Sequence, residues 1–431
     1  MSDQSLTFWD QLYGPITAPA WLRPVVFSPE LQRLREIRLL NITSPSCSAL
    51  SDARRFTHTL GVLHLALRLA NKITSHFSPQ DTRTFLVAAL LHDIGTPAFG
   101  HLFEYQLASM TGWNHEAFVS DIIRGTYLPE KRYQQIYYLN ALTLHSVLNE
   151  LEIDPEAIVR LVNGDGPLGE LLAGFIDLDN IDNVFRMATL LGFQPDVTAP
   201  NRLVDSIIPT KDGLVFEKEA FPILESWREL RKTTYEVLAF DEQCLSGQAM
   251  LTDCFSLALK SEYLGEEHWP FTDEEMLKHL LKNEETLPII KRFAVGDFYS
   301  EVFMAWYSCP KGNVDLRHPD QRAILIDQIY RKTKITCSPY IFYDSGTFSK
   351  RLSLRFRTGD HQTQIVDLGE KSGSTIVSVF TSKRINDTEK KKLRESIRDL
   401  LTEFGFYTSC LKSIPVKEDN HEVPGQRRIP F

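Results

Sequence analysis

The sequence predicts a mainly α fold, a helical first lobe followed by a smaller mixed α/β lobe. Three observations carry that reading. Apolar residues recur at helical spacing through the first half of the chain, as at Leu60, Leu63, Leu67 and Ala70. Strand-like alternation is confined to the chain after about residue 200. The 431 residues also exceed what one compact core usually spans, so two lobes are expected.

The elements follow in order. Residues 1–49, rich in proline and aromatics, read as an N-terminal segment packing on the lobe that follows; 50–200 form that helical core, and 201–431 the second lobe. In "SPELQRLREIRLL", Ser28 is placed to cap a helix and Pro29 to open it. From Arg54 to Ala70 a second stripe of His58, Val62, Leu65 and Leu69 accompanies the first, so this helix belongs in the centre. "DTRTFLVAALL" is another buried helix, with Gly95 placed to end it. Helical patterns continue through "HEAFVSDII", "YYLNALTLHSVLNEL" and "DPEAIVRLV", where Asp154 caps and Pro155 starts the turn. "PLGELLAGFIDLDNIDNVFRMATLLG" reads as one long apolar helical stretch. Beyond it, "DGLVF" suggests a hairpin, and helices are expected to about residue 333. Strands then follow in "YIFYDSGTFSKRLSLRFR" and "STIVSVFT", and "DTEKKKLRESIRDLLTEFGF" forms an amphipathic helix.

Composition narrows the function. A net charge of −9 disfavours stable duplex nucleic acid as a partner, while leaving room for a small anion in a locally positive pocket. No apolar run approaches the roughly 20 residues of a membrane span. The N-terminus lacks a signal-peptide pattern. Six scattered cysteines without a CxxC pair argue for a reducing, cytoplasmic setting, with neither a disulfide framework nor a cysteine-type zinc site.

"LLHDIGTPAFGH" drives His92 and Asp93 into the end of a core helix. Such residues are poorly buried unless something offsets their desolvation. His58 and Asp179 share the predicament, each lying in a strongly apolar helix. One ion that accepts imidazole and carboxylate would offset the burial of all four. Neighbouring helical residues point about 100° apart. His92 and Asp93 therefore converge most easily where the last turn loosens before Gly95.

"RRFTHTLGV", "LLHDIGTPAFGH" and "FIDLDNID", in that order, resemble the HD-domain phosphohydrolases, most closely their deoxynucleoside triphosphate triphosphohydrolase branch. "YGPI" and "SPELQRLREIRLL" resemble that branch's N-terminal approach, and the likeness covers roughly residues 8–195. It implies one tightly bound divalent metal (Mn, Fe, Mg, Zn or Ni) on His58, His92, Asp93 and Asp179, and further Mg with the substrate triphosphate. It implies phosphate binding at Arg55 and acid or electrostatic work at His101, Glu104 and His115. The expected reaction is hydrolysis of a deoxynucleoside triphosphate to deoxynucleoside and triphosphate, by a homo-oligomer, for nucleotide-pool control or phage defence by nucleotide depletion. Asp182 and Arg186 share the face of Asp179, either as an i,i+4 ion pair or with the arginine on phosphate.

The sequence departs from that branch at the sugar. The branch's three deoxyribose readers correspond here to Leu39, Asn183 and Met187, and the second histidine of HDxGHxPFSH is Thr96. An HD phosphohydrolase or phosphodiesterase acting on another nucleotide, or a nucleotide-sensing regulator with weak turnover, are the alternatives. "GDGPLG" lacks the preceding strand of a dinucleotide fingerprint and reads as a helix–turn–helix corner opened by Pro167. Arg351, Arg355 and Arg357 would share one strand face, either solvated or a site for a regulatory nucleotide or partner protein.

Overall fold

The computed structural model describes residues 5–41, 45–112, 115–127, 142–308, 315–343, 351–358, 362–369 and 374–406. The helix Arg55–Thr74 lies at the centre of the first lobe, as its two apolar stripes demand. The helices Pro79–Leu91 and Leu178–Leu190 pack against it. Ser78 starts Pro79–Leu91 with a reciprocal capping box, its hydroxyl accepting from Asp81 N at 3.1 Å and its own N–H donating to the Asp81 carboxylate at 3.0 Å. Asp154 caps Pro155–Val162, and Pro167 lies in the first turn of Gly166–Ala173, so "GDGPLG" is a corner between two helices.

Several local expectations are corrected. "SPELQRLREIRLL" gives only a short helix, Pro29–Gln32, a 3-10 turn Arg33–Glu36 and then extended chain. Ser28 does not cap it, because its hydroxyl donates back to Val25 O at 2.9 Å. The long stretch from Pro167 to Gly192 is two helices, broken at Gly174–Asp177, where Asp177 caps the second by accepting from Asn180 N at 2.6 Å. Within the stretch expected to be helical, Ser300–Ser308 is a strand. A hairpin of β1 (Leu6–Asp10) and β2 (Gly14–Ala18) precedes everything else.

Strands β3 (Ile207–Thr210) and β4 (Gly213–Phe216) form the expected hairpin. The remaining strands are β5 (Ser300–Ser308), β6 (Ser338–Tyr343), β7 (Leu352–Thr358), β8 (Gln362–Leu368) and β9 (Ser374–Thr381). They divide between two sheets. β7 and β8 return to the first lobe, giving the order β3-β4-β7-β8 with β4 and β7 parallel. β5, β9 and β6 form an antiparallel sheet with its own core, built with the helices Pro319–Thr333 and Asp387–Glu403. The fold is mainly α, with a smaller sheet-containing C-terminal region. Among the described residues, no helix is long and apolar enough to cross a membrane.

Arg351, just before β7, and Arg355 and Arg357 within it are engaged within the fold. Arg351 pairs with Asp367 at 2.8 Å, Arg357 with Glu217 at 3.0 Å, and Arg355 donates to Asp212 O at 2.7 Å.

Candidate metal centre

Three helices and one turn deliver the expected ligands to a single place. His58 sits one turn into Arg55–Thr74 and is fully buried. Asp179 and Asp182 are three residues apart on Leu178–Leu190, so both face the same ring. His58 Nε2 lies 2.8 Å from Asp179 Oδ1, and Nδ1 lies 2.6 Å from Asp182 Oδ1. Burial works against charge on this ring, but the two carboxylates outweigh it and raise its pKa to about 10.

Pro79–Leu91 ends at Leu91, and His92 keeps helical dihedrals while Asp93 enters a turn closed by Thr96 N on Asp93 O at 3.0 Å. That early release lets adjacent residues converge. His58, His92 and Asp93 offer donor atoms within 4.8 Å of one another. His92 Nε2 lies 3.7 Å from Asp93 Oδ2 and 4.0 Å from Asp179 Oδ1.

The hydrogen bonding of His92 tests whether a cation fits. Its Nδ1 is 2.9 Å from Ala89 O, and a carbonyl can only accept, so Nδ1 carries the proton. In the neutral ring, Nε2 is then a lone pair, buried and without a hydrogen-bond partner. A lone pair facing two carboxylates is repulsive unless a cation lies between them. A backbone carbonyl fixing the other nitrogen is also the usual support of a metal-binding imidazole. These residues could hold a divalent cation. Asp93 is further engaged by Arg55 Nη1 at 2.8 Å and the Thr96 hydroxyl at 3.2 Å. Burial opposes its charge, yet Arg55 and the two histidines hold the carboxyl well below the usual carboxylate range.

The loop after Asp93 is buried, so its backbone polar groups need partners. Arg33 donates to Ile94 O at 3.0 Å and to Thr96 O at 2.5 Å, and Trp269 Nε1 donates to Gly95 O at 2.6 Å. The Asp273 carboxylate accepts from Phe99 N and from Arg38 N, each at 2.9 Å. Phe99 and Gly100 both take positive φ, +57° and +50°. The φ of Gly100 favours glycine, and a Cβ there would stand 2.5 Å from Asn41 Oδ1, which would have to move.

Behind the ligands lies an ion-pair stack. Arg186 grips Asp182 through Nε and Nη2 at 2.8 and 2.9 Å, and its Nη1 reaches Asp10 at 2.8 Å. All three side chains are buried; of the two readings left open for Asp182 and Arg186, the structure has the i,i+4 ion pair, placed behind His58 rather than with the arginine free for phosphate. The stack fits because residue 61 is glycine: a Cβ there would lie 2.0 Å from Asp182 Oδ2. Asp10, Asp273 and Gly61 were not evident as site residues. The first two act across more than 170 positions of sequence, and only the run "HTLGV" hints at the third.

The other candidates lie on neighbouring stretches of sequence. His101 and Glu104, in the first turn of His101–Thr111, pair at 2.7 Å, with the His101 side chain 74% exposed. His115 begins the helix His115–Arg124, but its side chain lies outside the described residues. Arg55 Nη2 also reaches Leu39 O at 3.4 Å. Leu39 and Met187 meet in one buried apolar cluster, and Asn183 Oδ1 is buried without a hydrogen-bond partner. Arg231, not anticipated, donates to Asn180 Oδ1 at 2.9 Å beside Asp179.

Residues 55–161 match the HD domain family. The MG461 homolog of Mycoplasma pneumoniae is 24% identical over 302 residues, covering 65% of this chain and 67% of its own. The deoxynucleoside triphosphate triphosphohydrolase SAMHD1 of Bos taurus is 30% identical over 119 residues, 25% of this chain and 20% of the relative. A solved phosphohydrolase structure from Bacteroides thetaiotaomicron has a TM-score of 0.63 at 16% identity, covering 88% of this chain and 100% of that one. The likeness of fold thus reaches far past the matched segment. His58, His92 and Asp93 all lie inside that segment and are drawn to one point, so the stretch that matches the HD domain is also the one that supplies three of the candidate ligands.

Proposed function

We propose that the chain hydrolyses deoxynucleoside triphosphates to deoxynucleoside and triphosphate. The observation that carries this reading is the buried His92 lone pair facing Asp93 and Asp179 beside His58. That is a donor set for one divalent cation: His58, His92, Asp93 and Asp179 would hold it. Such a cation supplies Lewis-acid activation of a water and of the phosphoryl group. The partial likeness to proteins named deoxynucleoside triphosphate triphosphohydrolases favours this substrate class.

The chain's own residues do the rest. Arg55 places a fixed positive charge beside Asp93, suited to an incoming phosphate. Glu104 orients the His101 imidazole, which we assign to protonating a leaving 5′ oxygen. Asp182 and Arg186 hold His58 in place rather than touching substrate.

The test is a panel of deoxy- and ribonucleoside triphosphates with each of Mn, Mg, Fe, Zn and Ni, resolved by anion-exchange chromatography. Nucleoside and triphosphate in equal amounts are expected. A nucleoside monophosphate or diphosphate product, or tight binding without product under every metal, overturns the assignment.

A further inference from the structure

Away from the HD ligands, two cysteines that the sequence keeps nearly 200 positions apart come together. Cys47 ends the 3-10 turn Pro45–Cys47, and Cys244 lies in the first turn of the helix Glu242–Lys260. Both are buried, and their Sγ atoms and an Asp241 carboxylate oxygen all lie within 4.8 Å of one another. We propose that Cys47 and Cys244 are a redox-active dithiol that closes to a disulfide on oxidation by a peroxide.

Geometry and surroundings both favour this chemistry. A disulfide needs its sulfurs at about 2.05 Å, so less than roughly 3 Å of closure is required, within reach of side-chain rotation and a small shift of the short turn. The Cys244 thiol donates a hydrogen bond to the Cys47 sulfur, which lowers the Cys47 pKa more than burial and the Asp241 charge raise it. Around them are Leu39, Leu50 and Met187, with Leu190, Leu191 and Leu238 packed behind. A neutral disulfide suits that apolar setting better than a cation does. Asp241 is moreover already the helix cap, accepting from Cys244 N at 2.6 Å, and the cluster holds no fourth donor among the described residues.

The oxidation balances with peroxide as the two-electron acceptor. The Cys47 thiolate attacks one peroxide oxygen, the O–O bond breaks, and the departing hydroxide takes a proton to become water. Cys244 sulfur then attacks the sulfenic acid on Cys47, the S–O bond breaks and a second water leaves. Two thiols and one hydrogen peroxide give one disulfide and two waters.

The bond would tie the approach to Arg55 onto the Glu242–Lys260 helix. Cys47 leads directly into Ser48–Ser51, after which Ala53 O accepts from Leu39 N at 2.8 Å and Arg55 N donates to Ile37 O at 3.0 Å.

The full chain, reduced and then exposed to hydrogen peroxide, is denatured, alkylated and mapped by mass spectrometry. A linked Cys47–Cys244 peptide is expected, lighter by two hydrogens and lost on adding dithiothreitol, while Cys254 and Cys337 stay alkylated. In Cys244→Ala, Cys47 should form no link and be trapped singly by a sulfenic-acid probe. Equal alkylation of both thiols with and without peroxide overturns the proposal. So does zinc that co-purifies and shields them until chelated. The map on wild-type protein decides the matter even if a variant fails to fold, and it does not depend on the enzymatic reading.

Discussion

Substituting Gly61 by alanine sets two effects of opposite sign against each other. In an exposed helix interior, Gly→Ala stabilises by about 1 kcal/mol through backbone entropy and propensity. At Gly61 the added Cβ meets Asp182 Oδ2 at 2.0 Å, Arg186 Nη2 at 2.5 Å and Asp182 Cγ at 2.8 Å. Ordinary contact begins near 3.4 Å, so the carboxylate must retreat by about 1.4 Å. It has nowhere to go without loosening Arg186 Nη2 at 2.9 Å and His58 Nδ1 at 2.6 Å. Disrupting a buried ion pair costs about 3–5 kcal/mol. Offset by the helix gain, Gly61→Ala should destabilise by roughly 2–4 kcal/mol. Urea unfolding of the chelator-treated protein reads this directly, as a lower midpoint at unchanged slope. A variant as stable as wild type, or more so, would show that the Asp182–Arg186 stack is not rigidly packed against this helix. The account of how His58 is held would then fail.

Three further outcomes are expected. Asp93→Ala or His92→Ala should lose the bound divalent metal, measured by elemental analysis after chelator-free purification; equal metal in Asp93→Ala and wild type refutes the ligand set. His101→Ala and His115→Ala should each lower turnover by about 10²–10⁴ with metal content near normal. Wild-type rates in both would move the acid elsewhere, with Glu104→Gln the next variant to measure. Because Leu39 and Met187, which replace two polar sugar readers of the resembling branch, lie in a buried apolar cluster, dideoxy nucleotides should be cut at rates close to those of deoxy ones. A loss in kcat/KM above roughly 100-fold, on the order of 2.7 kcal/mol, would mean that other polar groups read the 3′-hydroxyl.

What the sequence reveals of this protein follows from how local each cause is. Burial of histidine and aspartate in apolar helices is a local contradiction, and it brings His58, His92, Asp93 and Asp179 to notice. The order of the three HD segments then ties them together. Asp182 with Arg186 is visible as an i,i+4 pair, but its orientation is not. Which way the pair faces depends on Asp10, 176 positions away. The break at Gly174–Asp177 hides within continuous helical periodicity, and Asp177 has to act as a cap before the second helix can be told from the first. Strand β5, "SEVFMAWYS", is a short mixed run whose partner β9 lies some 70 residues on, so pairing rather than pattern decides its state. The two thiols of Cys47 and Cys244 have no motif at all, because a tertiary contact alone unites them.

The clamp of Asp273 on the loop after Asp93 bears on biosynthesis. All four candidate ligands have been synthesised once residue 179 is made, but Phe99 N and Arg38 N have no partner there until residue 273 follows. Trp269, which holds Gly95 O, arrives only just earlier. A nascent chain with every ligand synthesised therefore still lacks the fastening of the loop that directly follows two of them. Long-range closure of this kind is slow relative to local helix formation. The growing protein should pass through a stage with its central helices formed and its metal-binding loop still open, the interval in which the cation would enter most easily.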